Sequence, residues 1–321
     1  MSSAFRVLQA GAGAPGLRSL LVPSAVAVLL TVAATAAPAA FELPFVDARA
    51  AALASYGAPP RIGEWEARAA VQSDSTSARR SGRWSGRACA FELFGLRELR
   101  GCAVEIERSG DTCLSLSAQR FGTDVYAEQT VGGGLSRRLG EAGRAAVSLR
   151  ALGLSASGLD EQWTCSFDAA AGVRLLNVVD ISCRWSNLGH SRIGGSPVSS
   201  ATALNAALRT GDALLTGSVL IEGGLEPSSS LGCEFVATPV LVLRAGAGSA
   251  PGLFAFGVGF SLPEQVPGAG GSVIDLAWQW HPELGVSAFV SLVFRPPVPD
   301  GATRARVRRR GGGGLSGPGR L

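Results

Sequence analysis

The chain contains no lysine, only two histidines, and one methionine. Every basic side chain is therefore an arginine. His190 and His281 stand far apart, each beside turn residues, so no histidine pair is spaced to hold a metal. Six cysteines are present, but Cys89, Cys102, Cys113, Cys165, Cys183 and Cys233 form no CxxC pair. No Ser/His/Asp set and no phosphate-binding loop is evident. GAGAPG and VGGGL are glycine-rich, but neither joins a strand to a helix in a nucleotide-binding context. These absences point away from an enzyme and from any cofactor or metal. After the N-terminal region no apolar run is long enough for a spanning helix. Charge is scarce too, at 17% of residues, and six of the arginines fall after Pro299. The remainder is close to neutral, so no basic field draws nucleic acid.

What is present is alternation. FAFGVGFSL, SVIDLAWQW and VSAFVSLVF end the ordered-looking part of the chain, separated by Pro/Gly turns. In the first, Phe254, Phe256, Val258 and Phe260 oppose Ala255, Gly257, Gly259 and Ser261. In the second, Ile274, Leu276, Trp278 and Trp280 oppose Val273, Asp275, Ala277 and Gln279. In the third, Ala288, Val290, Leu292 and Phe294 oppose Ser287, Phe289, Ser291 and Val293. A period of two means strands, and each run has about the ten residues that a tilted strand needs to cross a bilayer. A soluble antiparallel sheet with one wet face shows the same pattern. Composition favours the membrane: 43 glycines, few charges and positive mean hydropathy suit a barrel whose outward half is apolar.

The pattern divides the chain into four zones. Residues 1–39 read as a secretory signal: Arg6 and Arg18 precede LLVPSAVAVLLTVAATA, and Ala37 and Ala39 fit an A-x-A cleavage rule. A short uncleaved anchor is the alternative, opposed by Pro23 and the many Ala and Thr residues. Residues 40–80 form an N-terminal segment whose Ala-rich part suits a short or plug-like helix, stopped by Gly57, Pro59 and Pro60, followed by a polar stretch from Gln72 to Arg80. Residues 81–295 read as strand, turn, strand, about fourteen times. Residues 296–321 are a Pro/Arg/Gly-rich tail with a disordered composition. The expected fold is all-β: an up-and-down antiparallel transmembrane β-barrel of about fourteen strands, in which closure removes exposed edges. One connection, LGHSRIGGSPVSSAT from Leu188 to Thr202, is long enough for an outer loop or a segment folded into the lumen. The competing fold is a soluble β-sandwich.

Polar residues alternate with the apolar faces. Glu105 and Glu107 alternate with Val104 and Ile106, and Asp168 and Arg174 with the Trp163/Phe167 face. Asp180 and Arg184 alternate with Ile181 and Trp185, Arg244 with Leu243, Asp275 with Ile274 and Leu276, and Gln279 with Trp278 and Trp280. In a barrel these nine face the lumen, where acids and bases pair. Trp84, Trp163, Trp185, Trp278, Trp280 and Tyr126 suit aromatic girdles or ordinary packing. Cys102, Cys165, Cys183 and Cys233 each share a face with apolar neighbours, which favours free thiols over a disulfide framework.

One run carries a resemblance. Gly232, Glu234, Phe235, Leu243, Arg244, Gly246, Asp275, Ala277, Leu284, Gly285 and Ser291 stand in an order that resembles the C-terminal half of PorV/PorQ-type outer-membrane barrels, relatives of the FadL-like channels. The match covers about a third of the chain, and VDARAAALASYGA is faintly similar to the family's opening stretch. Two features depart from that pattern: the chain runs on beyond its last strand, and an Asn-Pro near the N-terminus is absent. The resemblance implies an outer-membrane protein that contacts lipid. Its implied role is transport of small or lipid-like solutes, or an accessory role in secretion with secretion-system components or secreted cargo as partners. The alternative is a secreted β-sandwich structural or surface protein without a pore.

Overall fold

The computed structural model describes residues 47–54, 83–109, 112–140, 142–175, 178–223, 225–249, 252–262 and 272–294. The signal segment, the C-terminal tail and most of the 40–80 segment lie outside the described residues. A five-residue helix, α1 (Ala48–Ala52), comes first. Strands β1 (Arg83–Glu92), β2 (Arg100–Ser109), β3 (Thr112–Gly122), β4 (Tyr126–Leu139), β5 (Gly143–Ala156), β6 (Gln162–Leu175) and β7 (Val179–Ser186) follow. A two-stranded clip, β8 (Arg192–Ile193) and β9 (Ser196–Pro197), interrupts them. The series resumes with β10 (Ala201–Thr210), β11 (Ala213–Glu222), β12 (Ser228–Thr238), β13 (Leu241–Gly248), β14 (Leu253–Ser261), β15 (Val273–His281) and β16 (Gly285–Phe294).

Apart from the clip, the strands form one closed antiparallel barrel of fourteen in which each pairs with its neighbours in sequence. β16 closes on β1, with Phe294 opposite Gly86 and Ala288 opposite Glu92. No strand of the barrel is left with an unpaired edge, the liability that closure removes. A single sheet closed on itself overturns the sandwich alternative.

The register fixes which side chains face out. Leu116 and Leu231 are 68% and 71% exposed, and Val104, Ile106, Leu149, Ile181, Leu204, Phe256 and Val290 are exposed with them. Their neighbours one residue away point inward, so the outer surface is an apolar belt. Aromatics mark its two rims. Trp163, Trp185, Phe254 and Trp280 lie near the end that carries the 187–200 connection, here the distal end. Trp84, Phe235, Phe260 and Phe294 lie near the proximal end, where β1 starts and β16 finishes. Trp278 stacks on Phe256 at 5.2 Å nearer the middle of the belt. Tyr126 departs from the girdle expectation: its register turns it inward, and its hydroxyl donates to Glu128 at 2.7 Å.

The inside is not empty. α1 lies against the inner face of β13, β14, β15 and β16. Alanine gives it helix propensity and little bulk, and Asp47 caps it by accepting the Ala50 N–H at 2.7 Å. Ala48, Ala51 and Ala52 pack with Cys89, Phe91, Leu93, Ala277 and Phe289. The wall makes room with glycine. A Cβ at Gly246 would stand 2.5 Å from the Leu53 carbonyl carbon, one at Gly257 2.5 Å from the Ala52 Cβ, and one at Gly232 2.7 Å from the Leu53 carbonyl oxygen. The barrel is thus moulded around residues 52–54.

Candidate functional site

Among the described residues three polar clusters stand out in the lumen, each built from inward positions of several strands. The first seats α1. Arg49 gives two hydrogen bonds to Glu234, at 2.7 and 3.0 Å. Glu234 also accepts from Arg244 at 2.6 Å, and Arg244 reaches Asp275 at 2.7 Å. Arg87 donates to Asp47 at 2.6 Å, and Gln279 donates to the Ala51 carbonyl at 2.9 Å. Charges this deeply buried are tolerable because each is paired and hydrogen-bonded. The chain of guanidinium and carboxylate groups therefore couples residues 47–54 to β1, β12, β13 and β15.

The second cluster centres on Asp168 of β6. It accepts from Arg150 of β5 and Arg184 of β7, both at 2.8 Å, and from the Asn187 backbone N–H at 3.0 Å. Asn187 is fully buried, with φ of 54°, a backbone region that asparagine enters more readily than most residues. Its amide donates to the Val198 carbonyl at 2.8 Å, and its side-chain oxygen accepts from Ser191 N–H at 3.0 Å. Ile193 and Val198 pack on Leu152, an inward residue of β5. The 187–200 connection is thus folded over the distal mouth and anchored in the lumen. Of the two readings its length left open, the structure selects the lumen-folded one.

The third cluster lies near the proximal end. Asp180 of β7 accepts from Arg174 of β6 at 2.8 Å and from Arg209 of β10 at 3.1 Å.

The structure places all nine candidate lumen residues on the inner face. It brings Asp168 together with Arg184, Asp180 with Arg174, and Arg244 with Asp275. Gln279 meets α1, and on β2 Glu105 is buried on the inner face while Glu107 accepts from the Cys113 thiol at 2.8 Å. Sequence reasoning omitted Arg150 and Arg209 from this set, though each alternates with apolar neighbours in the same way. It also omitted Asp47, Arg49 and Arg87. The first two precede the strands and carry no period-two pattern.

All six cysteines are free thiols. Cys102, Cys165, Cys183 and Cys233 lie on the outer face, and Cys89 and Cys113 are buried on the inner one. His281 is the last residue of β15, and its side chain caps the turn that follows: its Nδ1 accepts from the backbone N–H groups of Glu283 and Leu284, each at 3.1 Å. Among the described residues no cluster of His, Cys, Asp and Glu is arranged to hold a metal ion.

No family model and no curated protein matches the chain. Solved structures do. The Ralstonia pickettii toluene transporter TbuX is 10% identical, with a TM-score of 0.53 over 80% of this chain and 100% of its own. The fold is that of outer-membrane β-barrels. The Acinetobacter baumannii outer membrane protein Omp33 is 7% identical, with a TM-score of 0.44 over 67% of this chain and 98% of its own. The PorV/PorQ resemblance finds no counterpart among these barrels.

Proposed function

We propose that this chain spans the outer membrane and passes small solutes through a lumen that residues 47–54 plug. One observation carries the reading: the barrel wall is apolar outside and charged inside, and a capped helix is salt-bridged within it. An outer surface this apolar is unstable in water and matches a hydrocarbon belt with aromatic rims. Outer-membrane lipid is the partner that covers it, after export through the N-terminal signal. The reading assigns no catalytic chemistry. The plug is held by side chains, with no backbone pairing between α1 and the barrel, so it leaves without breaking a strand ladder.

A second reading follows from a specific observation. Gly232, Glu234, Arg244, Gly246, Asp275 and Ala277, which carry the PorV/PorQ resemblance, are the inward residues that seat α1 or its ion-pair chain. In this reading the filled barrel is an accessory to secretion, with secreted cargo or secretion-system components as partners.

Proteoliposome swelling in small sugars separates the two. The solute reading expects slow permeation by the native protein and faster permeation by Gly246→Val, whose new side chain collides with Leu53. Impermeable vesicles for both proteins, together with retention of secretion components on the immobilised barrel, would transfer the case to the accessory reading.

A further inference from the structure

The apolar belt is hollow at one place. Toward the distal ends of β1, β2, β3, β15 and β16, an outward-facing groove of about 810 Å³ is cut into the wall. Its floor is Ala90, Cys102 and Ala288, short side chains at outward positions. Elsewhere on the belt such positions carry residues of the size of Leu116, Leu231 and Phe256. Phe91 and Phe289 alternate with the floor residues and belong to the inner face, where their rings stack at 5.9 Å. Trp278, stacked on Phe256, forms one bank. Ligand sites commonly enclose roughly 300–1,000 Å³, so the groove has the volume of a site.

The distal end of this groove is charged with both signs. Glu92 ends β1, Arg100 begins β2, and the two stand opposite each other in register. Arg120 of β3 is opposite Cys102, one diagonal step from Arg100 on the same outer face. Asp124, in the turn that follows β3, lies 3.7 Å from Arg120. All four line the groove. Directly opposed side chains have Cβ atoms ~5 Å apart and diagonal ones ~7 Å. Both guanidinium groups therefore reach a common phosphate, and the Glu92 carboxylate stays beside it. Arg120 and Asp124 are 56% and 104% exposed, so their mutual contact is weak and a ligand replaces it readily. A purely anionic head would meet two carboxylates along with the two guanidinium groups. The head that satisfies both signs carries a phosphate and a cation close together. Phosphate oxygens take the planar donor forks of arginine, and a primary ammonium donates to carboxylate.

We propose that this groove binds one phospholipid whose headgroup joins a phosphate to a primary ammonium group. The phosphate sits between Arg100 and Arg120, the ammonium meets Glu92 and Asp124, and an acyl chain lies over Ala90, Cys102 and Ala288 against Trp278. The site rests on the outer-membrane placement above and is independent of what the lumen passes. Native mass spectrometry of the full chain in detergent tests it, with dioleoyl phosphatidylethanolamine, phosphatidylglycerol, phosphatidylcholine and lipid A as probes. One phosphatidylethanolamine should be retained per barrel. It should be held about tenfold more tightly than phosphatidylglycerol, which lacks the cation, and than phosphatidylcholine, whose cation has no N–H; that factor is the loss of roughly one charge-assisted contact. Arg100→Gln with Arg120→Gln should weaken its retention by about tenfold or more. Glu92→Gln with Asp124→Asn should erase the preference over phosphatidylglycerol. Ala288→Leu fills the floor and should weaken retention with every charge in place. Faster migration of unboiled samples shows that each variant has folded. Equal or tighter retention of phosphatidylglycerol, phosphatidylcholine or lipid A by the native chain overturns the site and leaves the barrel reading standing. So does retention unchanged in the folded charge variants. A chain that stays soluble without detergent overturns both.

Discussion

Replacing Arg49 by Met should expose a thiol that the native lumen hides. Cys89 is 4% exposed and packs beneath Ala48, Ala51 and Ala52. It becomes reachable when residues 47–54 lift off the wall. Arg49 holds them through two hydrogen bonds to Glu234, with side chains 6% and 14% exposed. Removing one member of a buried ion pair costs about 3–5 kcal/mol when the other is left alone. Glu234 is not left alone, because Arg244 still donates to it at 2.6 Å. The cost is then nearer to the ~1.5–3 kcal/mol of a hydrogen bond to a charged group. At about 1.4 kcal/mol per factor of ten, the ratio of docked to undocked segment falls roughly 10- to 100-fold. When undocking is fast relative to labelling, the labelling rate at Cys89 tracks that ratio. A membrane-impermeant sulfonated methanethiosulfonate is the reagent, with the modified peptide counted by mass spectrometry. The four outward thiols face the apolar belt and do not compete for it. Gly246→Val reaches the same outcome without changing charge, since its Cβ stands 2.5 Å from the Leu53 carbonyl carbon where ordinary contact begins near 3.4 Å. If both variants fold and Cys89 labels at the native rate, residues 47–54 are not its cover, and the docking account fails.

Further outcomes follow from the same faces. Leu292 and Phe294 are outward-facing, so replacing both by charged residues should block insertion, at about 2–4 kcal/mol for a charge near the midplane and less at the rim. Deleting residues 298–321 should leave assembly intact, because β16 ends at Phe294 and already closes on β1; this is read from outer-membrane yield. Thiol titration of denatured, unreduced protein should find the six cysteines free, and three disulfides would contradict it. Asn187→Ala removes two hydrogen bonds that pin the 187–200 connection, and limited proteolysis should then cut that connection faster while sparing the barrel.

The barrel was legible because its signal is local. In β14 a single phenylalanine, glycine, phenylalanine alternation states both strand and facing, and the same rule assigns Glu105, Asp168 and Arg244 to the inside. Turn residues between such runs were enough to count the strands. The contents of the lumen were not legible, because they depend on distant pairs. Arg49 and Glu234 are 185 residues apart, and nothing near either one announces the other. Gly232, Gly246 and Gly257 read as small inward residues, but the reason for their smallness is the chain packed against them. Ala48–Ala52 read as a short helix, and its place inside the barrel rests on the charges of Asp47 and Arg49. Tyr126 misled for a related reason: an aromatic near a strand end suits a girdle, and only the register with β3 turns it inward.

The central claim is that this chain is a closed barrel with its apolar face in the outer membrane. Fractionation followed by electrophoresis of boiled and unboiled samples tests it most directly. The account predicts a mature protein that stays with the outer membrane through alkaline washing and migrates faster unboiled, because the closed sheet survives detergent until heated. Recovery in the soluble periplasmic or culture fraction, with one mobility in both samples, would contradict it.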